Sequence, residues 1–579
     1  MPKPKKIIND PENAVAEFIQ GLLAQFPNTL TQLSGQDVIL KKNLTPQVQL
    51  LSGGGSGHEP SHAGWIGEGM LSGAILGGIF ASPSVAAVLS AVRNVSAYSD
   101  KSPVLLVVKN YTGDRLNFAM ACEKANMEGI QCAMVVVADD CALERFKGIT
   151  GARGVAGTVL VHKIAGAAAA KGKSLDEVVV LAKEACSRMG TLGVALDAVT
   201  VPGAAQINDR LDDETIEIGL GIHGEAGMRQ SPLLSADELS KEMLDSILKY
   251  GREENGSIVP MWNKGDEVCL LVNNLGGTSN FEMSILANSA IKILEGTYEV
   301  KVGRVAVGSF MTSFDMHGAS LTVLNLAGAS SDLVECLDAT TSAPAWTAVE
   351  YYDPSTPRGQ PLEAVKVAEV AATASNLPPA DEWSESDAAA LLKKAAEALA
   401  AAEPLLTKYD TIVGDGDCGI TMKRGATKVM EEGVVSTSHP VTMFAQLADA
   451  VSASMGGTSG VLLELMFRKM SSTLSRCDKI ASSDLAKAFE AGVEAVSLYG
   501  GATVGARTML DSLVPAAASL VATGSIPEAA QKAKEGADST ASMMQASAGR
   551  SNYLSEETLS GTPDPGAVAV ATVLEALSA

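Results

Sequence analysis

A single imidazole, His223, stands among four glycines in Gly219-Leu220-Gly221-Ile222-His223-Gly224-Glu225-Ala226-Gly227, directly after the strand-like run Thr215–Leu220. Glycine lets the backbone turn tightly and lets a ligand come close, because no Cβ stands in the way. An imidazole with that much open space suits a nucleophile, a general base or a metal ligand. The competing reading is a turn whose histidine caps a strand. A second glycine-framed histidine lies upstream, in Leu50-Leu51-Ser52-Gly53-Gly54-Gly55-Ser56-Gly57-His58-Glu59-Pro60. This stretch fails the dinucleotide template because His58 occupies a required glycine position, and the chain contains no phosphate-loop lysine motif. What remains is a set of free N–H groups, a hydroxyl and an imidazole at the C-terminal end of a strand, where open α/β sheets bind ligands. Lys109-Asn110-Tyr111-Thr112-Gly113-Asp114-Arg115 follows the apolar run Val104–Val108 in the same way. It offers an ammonium and a carboxylate to orient a polar ligand and accept a proton from it. With His58 and His223 these groups describe a small polar pocket holding a candidate nucleophile, a base and positioning groups.

A second set of residues suits phosphate. Asp410-Thr411-Ile412-Val413-Gly414-Asp415-Gly416-Asp417-Cys418-Gly419 reads as a glycine-rich loop between helices carrying three carboxylates. Oxygen-only ligands at that density suit a hard cation, Mg²⁺ before Ca²⁺. The calcium-loop template fails, since counting from Asp415 the sixth residue is Ile420 and the twelfth Ala426. Met455-Gly456-Gly457-Thr458-Ser459-Gly460 opens a helix, where exposed N–H groups and the helix dipole favour an anion. Together they read as a polyphosphate site built without a Walker motif. Gly505–Asp511 and Pro563-Asp564-Pro565-Gly566 are loop-to-helix junctions in the same region. His62, His162, His317 and His439 read as structural or surface residues.

The elements that must position these groups change character along the chain. From Val38 to about Glu350, short β-branched runs (Val104–Val108, Met134–Ala138, Val159–Val161, Val268–Val272, Val302–Val307) alternate with helical stretches such as 117–128 and 174–189. That alternation predicts an α/β fold with mostly parallel sheet, in two lobes that meet near 190–201. The expected domains are residues 1–195 and 196–351, then a proline-rich linker over 352–383. Residues 384–579 predict an all-α domain, opening on a capping-box-like Ser384-Glu385-Ser386-Asp387. Further helices are expected over 441–453, 485–498, 526–548 and 567–577.

At 579 residues the chain is long enough for several cores, with 46% hydrophobic and 19% charged residues. A net charge of −23 argues against a nucleic-acid or anionic-membrane partner. A phosphate site must then be built locally, from N–H groups or a metal. Cysteines at 122, 132, 141, 186, 269, 336, 418 and 477 form no CxxC pair, which predicts reduced cytoplasmic thiols. The basic start Met1–Lys6 leads into no apolar segment, so no signal peptide is expected. Apolar runs are strand-length, so no membrane span is expected.

Taken together, SGGGSGHEP (52–60), VKNYTGDRLNF (108–118), GTLGV (190–194), GLGIHGEAG (219–227), VNNLGG (272–277), GDGDCG (414–419), the 455–460 glycine turn, RTMLDS (507–512) and DPGA (564–567) strongly resemble the ATP-dependent, fused dihydroxyacetone kinases, called triokinases in animals. The resemblance spans nearly the whole chain. It implies an N-terminal triose-binding part and a C-terminal helical barrel for ATP. It implies that His223 holds the ketone as a covalent hemiaminal, and that Asp114, assisted by His58, takes the proton from the hydroxyl that attacks the γ-phosphate. Gly55, Ser56, Gly57, His58, Glu59, Lys109 and Asp114 would form the substrate site. Asp410, Asp415 and Asp417 would hold Mg²⁺. Asp415, Gly416, Asp417, Cys418, Gly457, Thr458, Ser459, Thr508, Met509, Asp564, Pro565 and Gly566 would form the nucleotide site. The family's usual Gly-Asp-Arg/Lys-Thr-Met reads Gly505-Ala506-Arg507-Thr508-Met509 here, so one carboxylate beside the nucleotide is missing. The resemblance further implies a homodimer in which one chain's helical domain serves the other's triose domain. It leaves two alternatives: an added Mn²⁺-dependent splitting of FAD into AMP and cyclic FMN, or a non-catalytic triose sensor.

Overall fold

The structure, a computed structural model, describes residues 5–143, 151–204, 211–254, 256–346, 349–353, 356, 358–359, 361–363 and 377–579. The start at 1–4 and most of the expected linker, including 364–376, lie outside the described residues. The chain divides into two compact units between Leu362 and Glu363. The N-terminal one is α/β, and the described residues of the C-terminal one are helical, as the pattern predicts.

The N-terminal unit holds two large sheets. The first runs Leu30–Gln32, Val38–Lys41, Gly73–Ile79, Gln49–Ser56, Val104–Lys109, Cys132–Val137, and its last four strands are mutually parallel. Gln49–Ser56 and Val104–Lys109 are buried along their whole length, as central parallel strands covered on both faces must be. Their C-terminal ends carry the glycine run and Lys109. The second sheet runs Glu350–Tyr351, Lys301–Gly308, Glu267–Asn274, Gly318–Asn325, Met189–Ala195, Thr215–Ile218, Arg229–Pro232. It corrects the expectation of mostly parallel sheet: only Glu267–Asn274 with Lys301–Gly308 is parallel. The strand Met189–Ala195, N-terminal to the expected lobe boundary at 195/196, belongs to this second sheet. A continuous apolar core joins the two, taking Leu105 and Val137 from one and Leu271 and Leu324 from the other.

Three local readings are also corrected. Val159–Val161 is not a strand but part of the helix Thr158–Ala170. Its residues 158–169 are all buried, so the β-branched run has no polar face to reveal its period. The segment after Lys109 is loop only to Tyr111; Asp114 lies in the first turn of the helix Thr112–Met127. The helix expected over 526–548 stops at Thr540.

In the C-terminal unit, each helix packs on the next: Pro440–Ser454, Gly457–Leu474, Ser482–Gly500, Leu510–Thr523, Ile526–Thr540, Pro565–Ser578, Glu385–Ala401, Cys418–Met430, and back to the first, a closed ring of contacts. Side-chain caps at Ser384, Ser525 and Asp564 start three of these helices. No helix among the described residues is long and apolar enough to cross a membrane.

Candidate active site

The glycine run ends the strand Gln49–Ser56 beneath two groups from neighbouring elements. A Cβ at Gly54 would stand 3.4 Å from Asp114 Oδ2 and 3.6 Å from Lys109 Nζ, so Gly54 is the floor under both. Lys109 Nζ, Asp114 Oδ1 and the Tyr111 hydroxyl are buried without hydrogen-bond partners. Buried polar groups are costly unless satisfied, so three orphans at one strand end mark a place where a small polyhydroxy ligand would complete the bonding. Burial draws the Lys109 ammonium below its ordinary range, against the pull of Asp114, Glu225, Glu59 and Asp139.

Across from them the two glycine-framed histidines meet. His58 Nε2 lies 3.1 Å from His223 Nε2, although the residues are 165 apart in sequence. His58 Nδ1 lies 2.8 Å from the Thr312 carbonyl, which as an acceptor assigns the proton to Nδ1. His223 Nδ1 lies 2.9 Å from Glu225 Oε1, and Glu225 Oε2 accepts the His223 N–H at 2.9 Å. The carboxylate therefore assigns Nδ1–H to His223 and leaves Nε2 as a lone pair, the form a nucleophile needs; with Nδ1–H on both rings, the 3.1 Å Nε2–Nε2 approach is a contact with no proton between the two atoms. Burial would raise the Glu225 carboxyl, but its hydrogen bonds with the His223 ring and main-chain N–H outweigh it and hold it at about 2. Burial, then Lys109 and His223, drives the His58 imidazole well below the ordinary histidine range, so it is neutral.

Three rings surround His223: Tyr111 (centroids 4.7 Å), Phe80 (5.0 Å) and His58 (4.8 Å), each near perpendicular to it. Behind the His223 loop, Arg153 donates from Nε to Asp140 Oδ2 at 2.5 Å and from Nη2 to the Gly219 carbonyl at 2.8 Å. Gly221 has no room for a Cβ between the Glu225 carboxylate and this guanidinium. Asp139 fixes the adjoining turn by accepting from Val155 N, Gly157 N and Thr191 Oγ1.

Two expected substrate ligands are engaged elsewhere. Ser56 Oγ donates to the Gly77 carbonyl at 2.8 Å. Glu59 folds back to accept the Gly57 N–H on both oxygens. Gly55 packs tightly: a Cβ there would lie 2.7 Å from Phe80 Cα. Beyond Glu59 a cavity of about 440 Å³ is lined by Lys6, Glu59, Ser309, Thr312, Phe314 and Asp315. His62 and His162 pair in the interior, Nδ1 to Nε2 at 3.1 Å, and His439 caps a helix by accepting Val441 N–H; both fit their structural reading. Sequence reasoning missed Glu225, Phe80, Tyr111, Thr312 and Arg153. Only Glu225, two residues beyond His223, carried a signal that spacing alone could have raised.

In the helical unit, single ligand oxygens of Asp410, Asp415 and Asp417 lie within 4.8 Å of one another. Asp410 is not in a loop as expected: it sits in the last turn of the helix Glu403–Val413, buried, and its Oδ2 accepts Cys418 N–H at 2.9 Å. Three hard oxygen donors, one held rigidly by a helix and two on a loop turned by Gly416 (φ +81°), fit a divalent cation of the Mg²⁺ type. Burial, then Asp410, Asp564, Asp417 and Asp415, pushes the Cys418 thiol up to about 12, which marks how closely these acids crowd it. Asp564 caps the helix Pro565–Ser578 through Ala567 N–H at 2.8 Å. A Cβ at Gly566 would lie 3.5 Å from Met509 Cβ, so the Thr508–Met509 and Asp564–Gly566 junctions meet. Arg507, buried with φ +63°, ties them down by donating to the Thr562 carbonyl at 2.6 Å. Thr458 and Ser459 occupy the first turn of a separate helix, Gly457–Leu474, whose N-terminus has no side-chain cap. Its free N–H groups suit a phosphate. Beside the Thr508 junction is a cavity of about 240 Å³ lined by Gly501, Thr503, Gly505, Ala506, Ser547 and Ala548.

Two family descriptions match: the Dak1 domain over residues 20–345 and the DAK2 domain over 412–579. The chain is 41% identical over 592 residues to a putative 3,4-dihydroxy-2-butanone kinase of Solanum lycopersicum, covering 98% of this chain and 96% of that one. It is 40% identical over 590 residues to the triokinase/FMN cyclase of Homo sapiens, covering 99% and 98%. Among solved structures it is similar to the dihydroxyacetone kinase of C. freundii in complex with AMP-PNP and Mg²⁺, at 31% identity, TM-score 0.65 and 99% coverage of both chains.

Proposed function

The chain belongs to the dihydroxyacetone kinase family, and from that premise we propose that it transfers the γ-phosphate of ATP to dihydroxyacetone, and to D-glyceraldehyde, giving the triose phosphate. The observation that carries the reading is the imidazole geometry: Glu225 takes Nδ1–H of His223, whose Nε2 stands among the rings of His58, Phe80 and Tyr111, while Lys109 Nζ and Asp114 Oδ1 are buried without hydrogen-bond partners.

In the proposed reaction His223 Nε2 adds to the ketone carbon, the carbonyl π pair moves to oxygen, and that oxygen takes up a proton. The adduct is a hemiaminal whose imidazole carries positive charge beside the Glu225 carboxylate. An alcohol has no carbon that can accept this bond, so glycerol is rejected. Lys109 and the glycine-run backbone orient the hydroxyls. Asp114 accepts the proton from the terminal hydroxyl as it attacks phosphorus, with His58 assisting. Asp410, Asp415 and Asp417 would hold Mg²⁺, which supplies charge neutralisation for the ATP phosphates. The N–H groups at Thr458 and Ser459 bind phosphate oxygens, while Thr508, Met509 and the Asp564-Pro565-Gly566 turn line the nucleotide. We place the enzyme in the cytoplasm as a homodimer, the helical domain of one chain serving the triose domain of the other. The absence of disulfides among the described cysteines is consistent with that compartment.

The test is phosphoryl transfer from Mg·ATP to dihydroxyacetone with glycerol as control. Transfer to glycerol at a comparable rate would refute the covalent selection. The triokinase/FMN cyclase name of the human relative favours one added activity at the same nucleotide site, the splitting of FAD into AMP and cyclic FMN. Release of AMP from FAD with Mn²⁺ tests it. A purely sensing protein would have no use for the carboxylate triad of the helical unit.

A further inference from the structure

Phe80 follows the strand Gly73–Ile79 and has no chemistry of its own, yet the rings of the site converge on it. Its ring stacks on His58 (centroids 5.1 Å, 19° between planes), stands edge-on to His223 (5.0 Å, 87°) and leans on Phe314 (5.2 Å). Its backbone is left-handed, φ +51°, and so is that of Phe314, φ +49°. This region is costly for a bulky L-residue and persists only where the surroundings impose it. Here they do. Phe80 N–H donates to the Ser56 carbonyl at 2.9 Å, Gly55 packs against the Phe80 main chain, and a Cβ at Gly57 would lie 2.7 Å from the Phe80 ring and 2.6 Å from that of Phe314.

Each imidazole donates its hydrogen bond from Nδ1, His58 to the Thr312 carbonyl and His223 to Glu225, and the two rings meet each other at Nε2, 3.1 Å apart. One hydrogen bond at one ring atom limits rotation about Cβ–Cγ weakly, whereas a flat neighbour across the ring limits it strongly. Phe80 lies flat against His58 and sets its edge against His223, so it restricts both rings at once. We propose that Phe80 is the positioning residue of this site: it fixes the mutual orientation of His58 and His223, and so aims the His223 Nε2 lone pair at the ketone carbon. The inference rests on the reading of His223 as the nucleophile. Phe80 is neither bonded nor titrated in the step; the bond formed is Nε2–C, and the electron pair and proton go to the carbonyl oxygen as above.

The full-length chain is compared as wild type, Phe80→Leu and Phe80→Tyr. Leucine fills most of the volume without a flat face, and tyrosine restores the face. Adduct is read by nuclear magnetic resonance of dihydroxyacetone labelled with carbon-13 at C2, whose signal leaves the ketone region when the carbon becomes tetrahedral. Phe80→Leu is expected to raise the KM for dihydroxyacetone about tenfold and lower adduct occupancy in step, with kcat at saturation within about threefold and the KM for ATP unchanged, while Phe80→Tyr recovers most of the loss. Wild-type adduct and KM in Phe80→Leu would overturn the proposal. So would parallel losses in kcat, both KM values and melting temperature that tyrosine does not rescue. If Phe80→Leu fails to fold, Phe314→Leu, which loosens Phe80 from behind, is expected to raise the same KM by about threefold, and an unchanged value overturns the proposal. Absence of adduct in the wild type would instead refute the nucleophile assignment.

Discussion

At the residue scale the proposed reactive atom is made by its neighbours. Glu225→Gln keeps the shape of the His223 contact but removes the charge that assigns Nδ1–H, and an amide can donate to Nδ1 and stabilise the wrong tautomer. The expected result is a loss of about ten- to hundredfold in kcat/KM for dihydroxyacetone, measured beside an unchanged affinity for ATP. His223→Ala is expected to abolish adduct while leaving ATP binding intact; equal loss of both would contradict the division of labour. Burial also holds three imidazoles neutral: His58, His62, and His162, the last drawn down to about 3 by burial and then by Lys109. In the unfolded chain each takes a proton near pH 6.5, so below that pH the unfolded state binds more protons than the folded one. Stability of the N-terminal unit should therefore fall as pH drops from 7 toward 5, each histidine adding up to about 1.4 kcal/mol per pH unit to the slope. Urea midpoints across that range check it, and His162→Asn should flatten the slope by about one proton. His58 and His223 were legible in sequence because glycines framed them. Thr312 and Phe80 were not, since nothing local records which carbonyl or ring arrives from a distant strand.

At the element scale, a helix and a loop share the candidate metal site. Asp410 is fixed by the end of Glu403–Val413, whereas Asp415 and Asp417 ride on the turn after it. Asp415→Ala is expected to abolish turnover without weakening triose binding, as calorimetry with dihydroxyacetone would register. The acids were legible as a cluster, but Asp410's place in a helix was not, because the glycines begin only at Gly414. The same limit explains Thr158–Ala170. A helix buried on every side has no amphipathic stripe, and Val159-Leu160-Val161 then imitates a strand. The antiparallel second sheet was hidden for a related reason: buried strands alike on both faces do not record the direction of their partners.

At the scale of the whole molecule, two compact units should answer to different ligands. Mg·ATP at about a hundred times its Kd adds about 2.7 kcal/mol to the folded state that binds it. Calorimetric unfolding should thus move the transition of the helical unit upward with Mg·ATP and not with ATP plus chelator, and dihydroxyacetone should move the other. A single transition shifted equally by both would refute this independence. The α/β and all-helical classes were readable from pattern alone, because strand-length apolar runs give way to long helical stretches after the proline-rich segment. The His58–Thr312 and His58–His223 contacts, spanning 254 and 165 residues, have one more consequence. A chain still being synthesised carries His58 and His223 as ordinary, separate imidazoles until the segment bearing Thr312 has emerged and folded. On the proposed hemiaminal chemistry, carbonyl reactivity is thus acquired only with the finished fold, and the growing polypeptide is spared capture by aldehydes and ketones.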